Sequence, residues 1–267
     1  MRRAASWLAF WVRASIGAVG FAAAVAWYSV IRALPFSPAF RRESFARMMS
    51  RLCCAPAGIR LRVVGRENVE RVTPCVYACN HQSQIDYPIG GRIFPGNGLV
   101  MASQIGDWPV MGALYRSSGC IALDRDVPLR AAAALAQAEE AIRRDGHSIW
   151  MFVEGTRGSV PGRLGKFRRG AFRLAASTGV PIVPVVISPL KPQTDLRARR
   201  LTPHDVVMHV LEPVYAKGST PDDERALSDD VRRRMEAVLA AASAAASAAA
   251  SAAASAASHE RHSPRAR

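Results

Sequence analysis

The chain is short of acidic residues, of aromatic residues and of cysteines in metal-binding patterns. Its 267 residues carry 21 Asp plus Glu against 36 Lys plus Arg, a formal net charge of +15. Such an excess points to anionic partners. Aromatics make up 7% of the sequence. No run interleaves them with basic residues and no nucleic-acid recognition motif is present, so anionic membrane lipids are expected as partners and nucleic acid is not. The five cysteines, Cys53, Cys54, Cys75, Cys79 and Cys120, form no zinc-type pair of pairs. Their odd number suits reduced thiols in a cytosol-facing domain. No metal is expected, because no ligand set dense enough for one is found.

Charge is also missing from residues 14–31, ASIGAVGFAAAVAWYSVI, for 18 residues. As a helix this run is about 27 Å long, enough for a thin bilayer. Trp7, Trp11, Trp27 and Tyr28 lie near its ends, and Arg2, Arg3, Arg13 and Arg32 flank it. Aromatics favour the headgroup boundary and arginines pair with lipid phosphates there, so a membrane anchor is expected. A cleaved signal peptide ending near Ala24-Val25-Ala26, a buried core helix and a re-entrant helix are the alternatives. More arginines follow the run than precede it, which favours the inner membrane with the main domain facing the cytoplasm.

Residues 41–52 place Phe45, Met48, Met49 and Leu52 at helical spacing among Arg41, Arg42, Arg47 and Arg51. This predicts an amphipathic helix, lying either on the membrane or on the protein core. Residues 240–258 are almost pure alanine and serine and lack an apolar stripe of any bulk. A frayed helix or a disordered appendage is expected there. The expected organisation is a membrane-associated helical segment over 1–57, one catalytic domain over 58–239 and a low-complexity tail over 240–267.

Within that domain, β-rich runs recur at 60–65, 75–79, 99–102, 120–123, 149–153, 182–187 and 206–211. Helical stretches over 129–144, closed by Gly146, and 170–178, before Gly179 and Pro181, alternate with several of them. The alternation predicts an α/β fold with a central sheet.

Residues 80–86 read NHQSQID and follow a strand ending near Cys79. An imidazole takes a proton from an alcohol near neutral pH, and a carboxylate on its other nitrogen fixes the tautomer and steadies the imidazolium. His81 is the candidate base and Asp86 its orienter; a solvated loop histidine is the alternative. Asn80 either caps the turn or orients the backbone around His81. Ser83 has only proximity to recommend it as a nucleophile. Cys120 reads as a small core residue.

Residues 152–158 read FVEGTRG, and from Arg157 to Arg173 there are six positive charges and no negative one. Convergent arginines hold a phosphate well, although runs of charge are usually solvated surface. Arg157, Lys166 and Arg168 belong to this run.

Together with GCIALDR at 119–125 and VPIVPV at 180–185, these blocks resemble, in order and spacing, the four motifs of the glycerolipid acyltransferase family, most closely its 1-acylglycerol-3-phosphate acyltransferase branch. The resemblance covers roughly residues 60–213. It departs from the family at Val153, usually proline, at Gly158, usually serine, and in MASQIGDWPVMG at 101–112, which lacks a common lysine and a glutamate.

The resemblance implies a glycerolipid acyltransferase-like α/β fold, a central mixed β-sheet flanked by helices. It also implies acyl transfer to the sn-2 hydroxyl of 1-acylglycerol-3-phosphate, with acyl-CoA or acyl-carrier protein as co-substrate and no resident cofactor. Phosphate binding falls to Arg125, Glu154, Gly155, Thr156 and Arg157, with Gly119, Lys166 and Arg168 in support. Arg125 can instead pair with Asp124 or Asp126. Glu154, an anion, is expected to orient arginines or bond a glycerol hydroxyl. Pro184 lies in the block associated with acyl-donor binding, though Pro181 and Pro184 are equally edge-strand or turn markers. A lyso-ornithine lipid is the competing acceptor. A metal-dependent phosphoesterase using His81, Asp86 and Glu154, or a membrane-binding protein with a decayed site, stands further off.

Overall fold

The computed structural model describes residues 2–94, 100–102, 120–124, 126–158, 160, 162–191 and 193–262. Five strands form the main sheet: β1 (Ile59–Val64), β2 (Val76–Cys79), β5 (Ile149–Phe152), β6 (Ile182–Ile187) and β9 (His204–Val210), in the order β1-β9-β6-β2-β5. β2 runs parallel to both β5 and β6, β6 is antiparallel to β9, and β9 is parallel to β1, so the sheet is mixed. A short parallel pair, β3 (Val100–Ala102) with β4 (Ile121–Leu123), and a hairpin, β7 (Thr194–Asp195) with β8 (Arg200–Leu201), complete the strands.

β2 and β6 are buried on both faces, which is why they read as unbroken apolar runs. Alternation still divides them. Val76, Ala78, Ile182 and Val186 face helices α5 (Pro128–Asp145), α6 (Gly170–Thr178) and α7 (Pro221–His262), meeting Ala138, Phe172 and Met235. Tyr77, Cys79, Val183, Val185 and Ile187 face the other way, toward Trp150 and the helix α4 (Asp86–Gly90). Pro184 sits inside this sheet opposite Ala78, not on an edge. The ladder to β9 covers only Val185–Ile187, so the missing proline N–H falls where that pairing starts.

Helix α1 (Arg2–Ala33) packs on α2 (Pro38–Cys54), and the short α3 (Glu67–Glu70) follows β1. α2 begins at Pro38, with the Ser37 hydroxyl accepting from the Phe40 N–H at 3.2 Å. Its apolar face is used within the protein: Phe45 and Met49 are buried with Ala24, Tyr28 and Ile31 of α1. The other face of α1 is open, with Trp7, Leu8, Trp11, Val12, Ile16, Val19, Trp27 and Val30 exposed, which sets aside the buried core helix. Residues Ser6–Ala33 form one helix long and apolar enough to cross a membrane. At the opposite end α7 continues through residue 240 into the alanine-rich tail without a break.

Candidate active site

The strands β2 and β5 end side by side, and the two segments that follow them meet. α4 starts at Asp86, so a connection of six residues, 80–85, separates the end of β2 from that carboxylate. α2 holds α4 close: a Cβ on Gly91 would lie 2.3 Å from the Ala46 carbonyl oxygen. Asp86 is fully buried, and its Oδ2 accepts from His81 Nδ1 at 2.7 Å, from the Gln82 N–H at 2.6 Å and from the Ser83 N–H at 2.9 Å. Its Oδ1 has no partner among the described residues. With Nδ1–H committed to the carboxylate, Nε2 is left with a lone pair.

The ring itself is clamped. It stacks on Phe152 at 4.1 Å between centroids and 24° between planes, with Tyr87 edge-on to both rings. The His81 side chain retains 13% exposure, so one edge of the imidazole is open to a small group.

The backbone is held as firmly. Glu154 is buried, and its Oε1 accepts from the His81 N–H at 3.0 Å while Oε2 accepts from the Gly165 N–H at 2.6 Å. The His81 carbonyl accepts from the Gly158 N–H at 2.8 Å. Asn80 turns its side chain to β6: the amide donates to the Ile187 carbonyl at 3.0 Å and accepts from the Ile187 N–H at 2.8 Å, extending the β2–β6 pairing past the end of β2.

Gln82, which the sequence did not single out, does the same further on. It donates to the carbonyls of Ile187 (2.8 Å) and Ser188 (3.3 Å) and accepts from the Leu190 N–H at 3.1 Å. Phe152 and Tyr87 were likewise unmarked; nothing in a linear pattern says that a ring will stack on His81.

Gly155 turns the chain after β5 with φ 67°, a left-handed conformation that favours glycine. Thr156, Arg157, Arg163, Lys166 and Arg168 follow on the exposed side of the loop. Among the described residues none of these four basic side chains has an ion-pair partner, whereas Arg169 pairs with Glu224 at 2.8 Å. Arg125 and Gly119 lie outside the described residues. Pro184 stands three positions along the ladder from the site, in the scaffold.

The thiol and the hydroxyl nearest the pair make poor nucleophiles. The Cys79 thiol is pushed well above its usual range, first by burial and then by the charges of Asp86 and Glu154, so it stays protonated. Ser83 is buried in the turn, its N–H spent on Asp86.

Comparison with known proteins gives the chain's relatives. The family model described as "Acyltransferase" matches residues 60–188. The human 1-acyl-sn-glycerol-3-phosphate acyltransferase alpha is 34% identical over 187 residues, 70% of this chain and 66% of the human protein. The enzyme of that name from Haemophilus influenzae is 33% identical over 65% of this chain and 72% of its own length. That of Salmonella typhimurium is 31% identical over 74% and 79%. The chain thus spans about two thirds or less of its animal relatives' length.

The crystal structure of PlsC, the 1-acyl-sn-glycerophosphate acyltransferase of Thermotoga maritima, superposes with TM-score 0.73 at 22% identity, covering 89% of this chain and 98% of that one. On its fold, its motifs and these relatives, the chain belongs to the 1-acyl-sn-glycerol-3-phosphate acyltransferase family.

Proposed function

We propose that the protein transfers a fatty acyl group from acyl-CoA or acyl-carrier protein to the sn-2 hydroxyl of 1-acylglycerol-3-phosphate, making phosphatidic acid. The observation that carries this reading is the His81–Asp86 pair, 2.7 Å apart, beside a loop of exposed basic side chains. Nε2 of His81 takes the hydroxyl proton, the alkoxide oxygen attacks the thioester carbonyl, and the C–S bond breaks. The leaving thiolate takes the proton back from the imidazolium, which Asp86 stabilises meanwhile. No acyl-enzyme forms, and the thioester supplies the driving force.

Arg157, Lys166 and Arg168 hold the acceptor's phosphate with Gly155, Thr156 and Arg125. Base catalysis of this kind contributes about 10²- to 10⁴-fold, so fixing the two substrates together contributes much of the rest. The apolar face of α1 keeps the protein at the membrane, where both the substrate and product lipids reside. We place it on the inner membrane with the site toward the cytoplasm, because cytosolic thioesters are the donors and the arginines after residues 14–31 outnumber those before.

The test is acyl transfer from labelled acyl-CoA or acyl-carrier protein to 1-acylglycerol-3-phosphate by membranes holding the wild type or His81→Ala. Labelled phosphatidic acid from the wild type and near-background product from the variant is the expected result. Wild-type silence with both donors overturns the acceptor assignment, and lyso-ornithine lipid is then the next acceptor to try. An unaffected variant overturns the base.

A further inference from the structure

We propose that Glu154 is a positioning residue for His81 and not a ligand of the acceptor. The residue is 4% exposed, and each carboxylate oxygen already faces a backbone N–H: Oε1 that of His81, at 3.0 Å, and Oε2 that of Gly165, at 2.6 Å. The Gly158 N–H closes on the His81 carbonyl at 2.8 Å. Both backbone polar groups of the residue that carries the imidazole are therefore held from one segment, by Glu154 and Gly158. A buried carboxylate repels a phosphate, whereas an acceptor-only group suits two converging N–H donors.

The loop is shaped around this carboxylate. A Cβ on Gly165 would stand 2.7 Å from Oε2 and one on Gly158 3.3 Å from it. Arg232 of α7 braces the outer side, donating to the carbonyls of Gly165 at 2.8 Å and Leu164 at 3.2 Å. The Arg168 N–H donates to the Val153 carbonyl at 2.7 Å, which returns the loop to the end of β5. Arg157, Lys166 and Arg168, assigned above to the phosphate, thus stand on or beside the strap that sets the base. The inference deepens the proposed function and rests on it for the kinetic part of its test.

Glu154→Gln is the discriminating variant. A glutamine turns an NH₂ toward one of the two N–H groups, donor against donor, so it cannot hold both. Misplacing a reacting group by about 1 Å costs about 10²-fold. The expected result is a fall of about 10²-fold in kcat, with KM for 1-acylglycerol-3-phosphate within about threefold of wild type. Gly165→Ala keeps the carboxylate but crowds it, and is expected to lower kcat in the same way, to a lesser degree.

Hydrogen exchange of the His81 amide, followed by mass spectrometry, should quicken in Glu154→Gln. A KM raised tenfold or more with kcat retained overturns the proposal. If the variant is too slow for kinetics, binding of 1-acylglycerol-3-phosphate without donor decides: retained affinity supports positioning and lost affinity overturns it. If the wild type itself does not acylate this acceptor, the functional reading fails, and exchange at His81 judges the positioning alone; unchanged protection in the variant refutes it.

Discussion

Replacing Asp86 by asparagine removes one charge and almost no volume from a fully buried position. Oδ2 of Asp86 accepts three N–H donors, from His81, Gln82 and Ser83, and an asparagine carbonyl oxygen in its place faces the same three with two lone pairs, more weakly but without a clash. The turn should therefore survive. What disappears is the attraction between carboxylate and imidazolium, and two unit charges about 4 Å apart interact by about 4 kcal/mol at an effective dielectric constant near 20. At about 1.4 kcal/mol per factor of ten, the ceiling on the loss is about 10³-fold in kcat. The expected fall is about 10²- to 10³-fold, with KM for both substrates unchanged.

The amide nitrogen takes the place of Oδ1, which has no partner among the described residues. An unsatisfied buried donor costs about 1–3 kcal/mol, so the unfolding temperature should drop by no more than roughly 10 °C. The assay is phosphatidic acid formation at saturating donor and acceptor, run beside thermal unfolding. A folded Asp86→Asn that keeps more than about a third of wild-type kcat refutes the role assigned to the pair.

Gly158→Ser restores the residue usual in the family, and its Cβ would meet Glu154 Oε2 at 3.3 Å and the His81 carbonyl oxygen at 3.5 Å, contacts that a shift of a few tenths of an ångström relieves. Its kcat should stay within about threefold of wild type, and a loss as large as that of Glu154→Gln would show that this space is needed empty. Asn80→Ala strands the Ile187 N–H at the end of the sheet, while the Ile187 carbonyl keeps the Gln82 amide, and urea unfolding should show a loss of roughly 1–3 kcal/mol.

His147 accepts from Arg42 at 2.6 Å, linking the segment after α5 to α2, and its imidazole is held below the usual 6.5, chiefly by burial and then by the Arg42 charge, against a smaller opposing pull from Asp145. The unfolded chain takes up that proton first, so this contribution to stability is complete above pH 6.5 and is lost as the pH falls through the folded value. His147→Gln should flatten the decline in unfolding temperature between about pH 7.5 and 5, and an unchanged slope would assign that decline to other groups. Changing the exposed Leu8, Ile16 and Val19 together to glutamate removes roughly 5–9 kcal/mol of apolar burial from any membrane contact. Vesicle flotation should fall while acyl transfer to short-chain, micellar acceptor persists; full flotation would mean that another surface holds the membrane.

The local elements were legible because their signals are local. Residues 170–178 form the expected helix to the residue, and α5 exceeds its expected span by one residue at each end. Proline at the first position of a helix and glycine just past its last need no tertiary context. The strands were legible for a similar reason, since a strand buried on both faces cannot afford polar residues. Pro184 admitted two readings, sheet core or an edge or turn marker, and the first holds: it lies inside β6, where the partner strand has not yet joined. The amphipathic character of α2 was plain, but whether its apolar side met lipid or protein depended on α1 coming back across it.

By itself the sequence determined the candidate base, its carboxylate partner and their order along the chain, because a histidine five residues before an aspartate after an apolar strand is a local pattern. Only the tertiary structure decided what Glu154, Asn80 and Gln82 do. Each spends its side chain on backbone groups far away in the chain, at His81, Gly165 and 187–190. The identity of a polar residue says how many hydrogen bonds it can make, and packing alone says with whom.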